Sequence, residues 1–105
     1  MREPTFLILT ALASAPQHGY GIMQDVAAIS EGRVQLKAGT LYAALDRLTA
    51  DALIEVDREE VVQGRLRRYY RLTGAGAARL AAEVDRLRQH IHVASHRLHQ
   101  REAPA

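Results

Sequence analysis

The sequence predicts a mainly α-helical chain with one small β-hairpin, closing on a long helix of coiled-coil type. Three observations predict it. Apolar residues recur at helical spacing over three short segments between Pro4 and Ala50. β-forming residues then cluster on both sides of Gln63-Gly64, a pair suited to a tight reversal. Last, Ala77, Leu80, Val84, Leu87, Ile91, Ala94 and Leu98 alternate at spacings of three and four, a sustained a/d heptad pattern.

Pro4 to Ala13 reads as the first helix, with Pro4 at a position where its missing N–H is not needed. Phe6, Leu9 and Ala13 share one face, and Leu7, Ile8 and Leu12 widen it. A helix apolar around so much of its circumference needs cover on two sides. A domain core on one side and a partner subunit on the other would supply it, so Phe6 and Leu9 are candidate dimer contacts. Ser14 to His18 reads as a turn. A second helix over Gly19 to Ile29 would bury Ile22, Val26 and Ile29, and Ser30-Glu31-Gly32 would end it. Val34 and Leu36 suggest a very short strand. A third helix over Ala38 to Ala50 turns Leu41, Leu45 and Leu48 inward and Thr40, Ala43 and Arg47 outward, with Tyr42 toward the flank.

Leu53 to Glu59 and Leu66 to Leu72 read as the two strands of the hairpin. Tyr70 and Leu72 would share one face, and Arg67, Tyr69 and Arg71 the other. Thr73 can cap the last helix, although Gly74 and Gly76 weaken its start. That helix is expected to run to about Gln100, with a frayed tail from Arg101 to Ala105. Residues 1–73 then form one unit, and residues 74–105 a dimerisation helix with its tail. No other helix of the chain could cover so long a seam. A partner chain is the economical cover for Leu80, Val84, Leu87, Ile91, Ala94 and Leu98, and packing against the first helix is the alternative. Both can hold along different parts of the seam.

Composition narrows the function. The chain has 105 residues, 48% apolar and 25% charged, the mix of one soluble globular domain. It has no cysteine, which removes thiol catalysis, disulfides and zinc–thiolate sites. No apolar run approaches the ~20 residues of a membrane span, and no signal-peptide pattern is present, so a cytoplasmic location is expected. There is no phosphate-binding glycine loop, metalloprotease motif or Ser/His/Asp arrangement to suggest an enzyme. The net charge is only +2, but it is unevenly spread. Asp51, Glu55, Asp57, Glu59 and Glu60 make one segment acidic, and Arg65, Arg67, Arg68 and Arg71 make the next one basic.

Three helices followed by a hairpin is the order of a winged helix-turn-helix, whose third helix enters the major groove of DNA by its N-terminal residues. That helix begins here at Lys37-Ala38-Gly39-Thr40. Lys37 can reach a phosphate, and the small Ala38 and Gly39 let the backbone approach the duplex. The N–H groups of the helix start also favour phosphate. Thr40 and Tyr42 offer hydroxyl groups, and Arg47 lies two turns further along. The hairpin tip adds Gly64, Arg65, Arg67 and Arg68, arginines suited to a narrow minor groove. Each has an ordinary reading as well: solvated strand arginines, a packing tyrosine, and Glu59 and Glu60 cancelling the field of the arginines. A dimeric protein-interaction module without DNA binding is therefore the alternative function.

Three segments carry a resemblance. His18-Gly19-Tyr20-Gly21-Ile22, Gly39-Thr40-Leu41-Tyr42-Ala43-Ala44-Leu45-Asp46-Arg47-Leu48 and Gly64-Arg65-Leu66-Arg67-Arg68-Tyr69-Tyr70-Arg71-Leu72-Thr73 closely resemble the PadR family of bacterial transcriptional regulators. Leu53-Ile54 and Gly76 also fit. The likeness covers roughly residues 4 to 90, and the single C-terminal helix is similar to the small subgroup of that family. Two departures are Ala43, where many members carry proline, and Ala52, where glycine is usual; Ala52 is expected to take a less demanding turn geometry. The resemblance implies a homodimeric repressor on a pseudo-palindromic double-stranded operator. It also implies that Tyr20, Thr40, Tyr42 and the arginines of the hairpin approach DNA, and that a small hydrophobic effector releases it. With no Trp and one Phe, a flat aromatic sandwich for such an effector is poorly supported.

One further cluster stands apart. His92, His96 and His99 fall at i, i+4 and i+7, on one helix face away from the seam, with His90 nearby. Imidazoles so spaced can chelate a divalent metal, so these three are candidate ligands of a metal effector, although no cofactor is required. A plain solvated face and a pH response near the ordinary histidine pKa are the other two readings.

Overall fold

The computed structural model describes residues 1–102. Its elements are α1 (Glu3–Ser14), β1 (Gln17–His18), α2 (Gly19–Ile29), α3 (Ala38–Ala50), β2 (Ile54–Val62), β3 (Arg65–Leu72) and α4 (Gly74–Glu102). The predicted class holds: three helices, a hairpin and a long last helix. Two boundaries move. The hairpin extends to its turn on both sides, and α4 runs through Arg101 and Glu102, part of the segment expected to fray. The rest of that expectation, residues 103–105, lies outside the described residues.

The core is built from α1, α2 and α3 and closed by the base of the hairpin. Ile8, Leu9, Ile22, Val26, Leu41 and Leu45 are fully buried there, with Ile54 and Tyr70 at the hairpin base. Leu9 is thus sealed inside its own domain and cannot serve as a dimer contact, whereas Phe6 lies half-buried at the core edge. Ile29, expected inside, is 42% exposed; it is the last residue of α2.

Both short-helix ends close in the same way. After α2, the Gly32 N–H donates to the Ala27 carbonyl (2.8 Å) and the Glu31 N–H to Ala28 (3.2 Å). After α3, the Leu53 N–H donates to Leu48 and the Ala52 N–H to Thr49, each at 3.0 Å. These are paired 6→1 and 5→2 bonds, which require a left-handed residue between them. Glu31 takes it at φ 54° and Ala52 at φ 59°. Ala52 therefore does not escape the demanding geometry; it adopts the conformation a glycine would occupy freely. Ala52→Gly is accordingly expected to stabilise the fold by about 1 kcal/mol, read as a raised urea midpoint.

Val34 and Leu36 form no strand. They lie half-buried against the core without a partner strand, and the Ser30 side chain holds the segment instead. Ser30 Oγ donates to the Val26 carbonyl (2.8 Å) and accepts the Val34 N–H (3.0 Å). A strand does form where a turn was expected. β1 pairs antiparallel with β3, Gln17 opposite Tyr70 and His18 opposite Tyr69, giving the sheet order β1-β3-β2. The Gln17 amide fixes β1 by donating to the Ala11 carbonyl (2.8 Å) and to Asp25 (3.3 Å).

The hairpin reverses at Gln63 (φ 51°) and Gly64 (φ 76°), two consecutive positive angles as a two-residue type I′ turn requires. A bulge at Asp57 shifts the register between Val56 and Arg58. Thr73 caps α4 as expected: its Oγ1 accepts the Gly76 N–H (3.0 Å) and donates to the Ala52 carbonyl (2.7 Å). Gly76, which weakens the helix start in isolation, is buried with no room for a Cβ beside the Leu53 carbonyl.

Only the first half of α4 lies on the domain. Leu80 packs against the core, and Val84 and Leu87 are half-buried. The Glu83 carboxylate is nearly enclosed and bonds the Arg86 guanidinium, which pulls its pKa down to about 2. From His90 onward every described residue is exposed, including Ile91 at 63% and Leu98 at 58%. The principal extents of 68 × 28 × 21 Å record this projecting helix.

Candidate nucleic-acid interface

The start of α3 is bare. Lys37, Ala38, Gly39 and Thr40 are all exposed, and no side chain caps the helix, so its first N–H groups remain open. A Cβ at Gly39 would meet nothing within 4 Å. This is the approachable helix N-terminus that Ala38 and Gly39 were expected to give.

Tyr42 leans from α3 toward α2. A methyl group on Gly19 would overlap the Tyr42 ring, so the tyrosine lies directly over the first residue of α2. Tyr20 stands beside it, 63% exposed. A groove of about 460 Å³ opens between this pair and the tip of the hairpin. Its walls are His18, Gly19, Tyr20 and Tyr42 on one side and Val62 to Arg68 on the other, without Gly64. Thr40 and Arg47 face elsewhere. With Gly39 and Ala43 they line a second recess, against Arg2, Pro4 and Thr5 at the start of α1. The exposed face of α3 is thus divided between two neighbours, and the predicted residues do not form one patch. Sequence reasoning did not name His18, Leu66 or Arg2 as site residues, although the first two lie in the segments that carry the resemblance. Only the pairing of β1 with β3 reveals the first, and only the packing of α1 on α3 the last.

The hairpin arginines are not equivalent. Arg68 bonds Glu59, its cross-strand partner (3.1 Å), and Arg71 bonds Glu55 (2.8 Å) and Asp57 (3.4 Å). Glu60 is occupied by Arg58 (2.9 Å), which also stacks 3.9 Å over the Tyr69 ring. That bond holds the Glu60 carboxyl below its ordinary range. Among the described residues, neither Arg65 nor Arg67 has a carboxylate within salt-bridge distance. Ion pairing therefore reaches Arg68 and not Arg65 or Arg67, although Glu60, the cross-strand partner of Arg67, still feels its charge. Burial, and then the Arg67 charge, push the His18 pKa down, against the pull of Glu60. His18 meets Tyr69 edge to face at 5.3 Å.

The description "Transcriptional regulator PadR-like family" belongs to the family model that matches residues 8–82. The chain belongs to the PadR-like family. This PadR-like chain is 41% identical over 76 residues to the transcriptional regulator Rv3488 of Mycobacterium tuberculosis, covering 72% of this chain and 67% of that protein. Among solved structures, it is similar to a PadR family transcription regulator from Clostridium difficile, with a TM-score of 0.77 and 27% identity over 92% of this chain and 99% of the other. Bacillus subtilis PadR, solved in complex with operator DNA, has the same fold, with a TM-score of 0.70 and 23% identity over 79% of this chain and 48% of its own. The family is one of transcriptional regulators rather than enzymes.

His92, His96 and His99 lie on the exposed half of α4. Among the described residues, no group of three or more His, Cys, Asp or Glu side chains is arranged to hold a metal ion. No helix of the described residues is long and apolar enough to cross a membrane.

Proposed function

We propose that the chain is a homodimeric, cytoplasmic transcriptional repressor that binds a pseudo-palindromic DNA operator and is released by a small effector. One observation carries the DNA-binding part. The exposed Tyr20 and Tyr42 and two unpaired arginines, Arg65 and Arg67, line one groove, and the helix that carries Tyr42 begins with an open, uncapped N-terminus. In this reading the α3 start enters the major groove and the hairpin reaches the adjacent minor groove as a wing. The operator complex of Bacillus subtilis PadR supports it. The dimer is supported by Ile91 and Leu98, apolar heptad positions that the chain's own domain leaves uncovered. Two shallow recesses flank α4, one bordered by Leu80 and Val84 and one by Phe6 and Leu87. A dimer would deepen them, and a small hydrophobic effector fits there better than a divalent metal at the histidines.

Arg65→Ala with Arg67→Ala tests the reading. Loss of two phosphate contacts should weaken operator and random duplex alike by roughly 10-fold or more, and flatten the salt slope by about two. Arg68→Ala should do less, because Glu59 already engages that guanidinium. Unchanged random-DNA affinity in the double variant would show that these arginines do not face DNA. A wild type that binds no duplex even at low salt would favour the interaction-module alternative.

A further inference from the structure

The tip of the wing carries an apolar pair that the charge argument does not use. Val61 and Leu66 are direct cross-strand partners, one step inside the Gln63-Gly64 turn. They are the two most exposed apolar residues of the hairpin, at 74% and 61%. The register places them on the same face as Ile54, Val56, Tyr70 and Leu72. At the base that face is core; at the tip it has run past the domain and meets solvent. Exposed hairpin positions ordinarily carry charged or polar residues, as Glu59 and Arg68 do two rungs along on the same face. Arg65 and Arg67, without ion-pair partners, flank Leu66 along β3 and project from the opposite face of the hairpin.

We propose that Val61 and Leu66 are a minor-groove contact that discriminates A·T from G·C pairs beneath the wing. The inference rests on the DNA-binding reading above. Charge complementarity fixes the occupant: with the tip inserted edge-on, Arg65 and Arg67 on one face would meet phosphates of one strand bordering the minor groove, and the apolar rung on the other face would lie along the opposite wall and floor. The walls of that groove are deoxyribose C–H surfaces, and apolar side chains pack against them in other minor-groove proteins. An A·T pair presents only acceptors on the floor, whereas G·C projects the guanine 2-amino group. A valine and a leucine can neither accept from that amino group nor make room for it. The wing therefore favours A·T by exclusion, while α3 reads the major groove. Spacing agrees. Strand rise places the tip about 25 Å from the hairpin base, enough to pass from one groove to the next, about 17 Å along the duplex.

The test compares operator duplexes obtained by selection from random sequence. A·T pairs flanking each half-site are replaced in turn by G·C or by inosine·cytosine, which lacks the 2-amino group. Wild-type protein should lose about 10-fold in affinity on G·C at the wing position and recover it on inosine·cytosine. Val61→Ser with Leu66→Ser should bind the A·T duplex more weakly, ignore the base change, and keep the wild-type salt slope. Its melting temperature should stay at the wild-type value, since both side chains are exposed. Equal wild-type affinity for all three duplexes, or unchanged discrimination by the double variant, would overturn the proposal and leave the DNA reading standing. A wild type that binds no duplex at low salt would overturn both.

Discussion

Gly76→Ala is expected to destabilise the protein by about 3 kcal/mol, enough to lower the melting temperature by roughly 10 °C or more. A Cβ at this position overlaps the Leu53 carbonyl oxygen and approaches Leu72 Cδ1 to 2.8 Å. The leucine tip could move, but the carbonyl has little freedom. The Leu53 N–H is held by Leu48 and its carbonyl accepts the Thr73 N–H (3.1 Å). Thr73 in turn is pinned by Ala52 and by the Gly76 N–H itself. Relief requires lifting the start of α4 off the α3–β2 turn, which undoes the cap and the seating of Leu80 together. Urea and thermal denaturation measure it. A variant that melts like the wild type would show that α4 does not begin against Leu53.

On the dimer proposed above, Ile91→Asp with Leu98→Asp is expected to give monomers and to cost at least about 100-fold in operator affinity, because the second half-site would then bind without linkage to the first. The exposure of both side chains makes the pair a clean probe. Within a lone chain the aspartates would sit in water at little cost; across a seam they would be buried charges without partners. Leu87 is a poorer probe, since it is half-buried beside Phe6 and Leu7 of its own domain. Analytical ultracentrifugation reads the outcome, and a double variant that remains dimeric refutes the seam.

Much of this was legible in the sequence because it rests on local rules. The 3.6-residue period placed α2, α3 and α4, the Gln63-Gly64 pair gave the turn, and Thr73 declared itself as a cap. Harder features depend on neighbours far along the chain. Two residues of β1 carry no readable period; the strand exists only because β3 offers an edge. Val34 and Leu36 have strand composition but no such edge. α1 is apolar nearly all round, so its sequence could not assign Leu9 to the core and Phe6 to the margin. The residue type of Ala52 says little of its conformation, which the two hydrogen bonds that end α3 set. In the candidate site, the residue types were legible and their grouping was not. Whether Thr40 and Arg47 share a surface with Tyr42 depends on where α1 lies against α3.

The bulge at Asp57 acts as a selector. With the register that holds from Ile54 to Val56 continued unbroken, Glu59 would stand opposite Arg67 instead of Arg68. One residue of offset thus decides which guanidinium is neutralised and which stays free. Deleting Asp57 would remove the bulge and keep Glu59 opposite Arg68, whereas keeping Asp57 in a regular ladder would exchange the roles of the two arginines. Relatives with the same wing composition and strand length but no bulge would present a different cation to the duplex. Operator preference in such proteins would then change through alignment of the strands, without a single substitution at the tip.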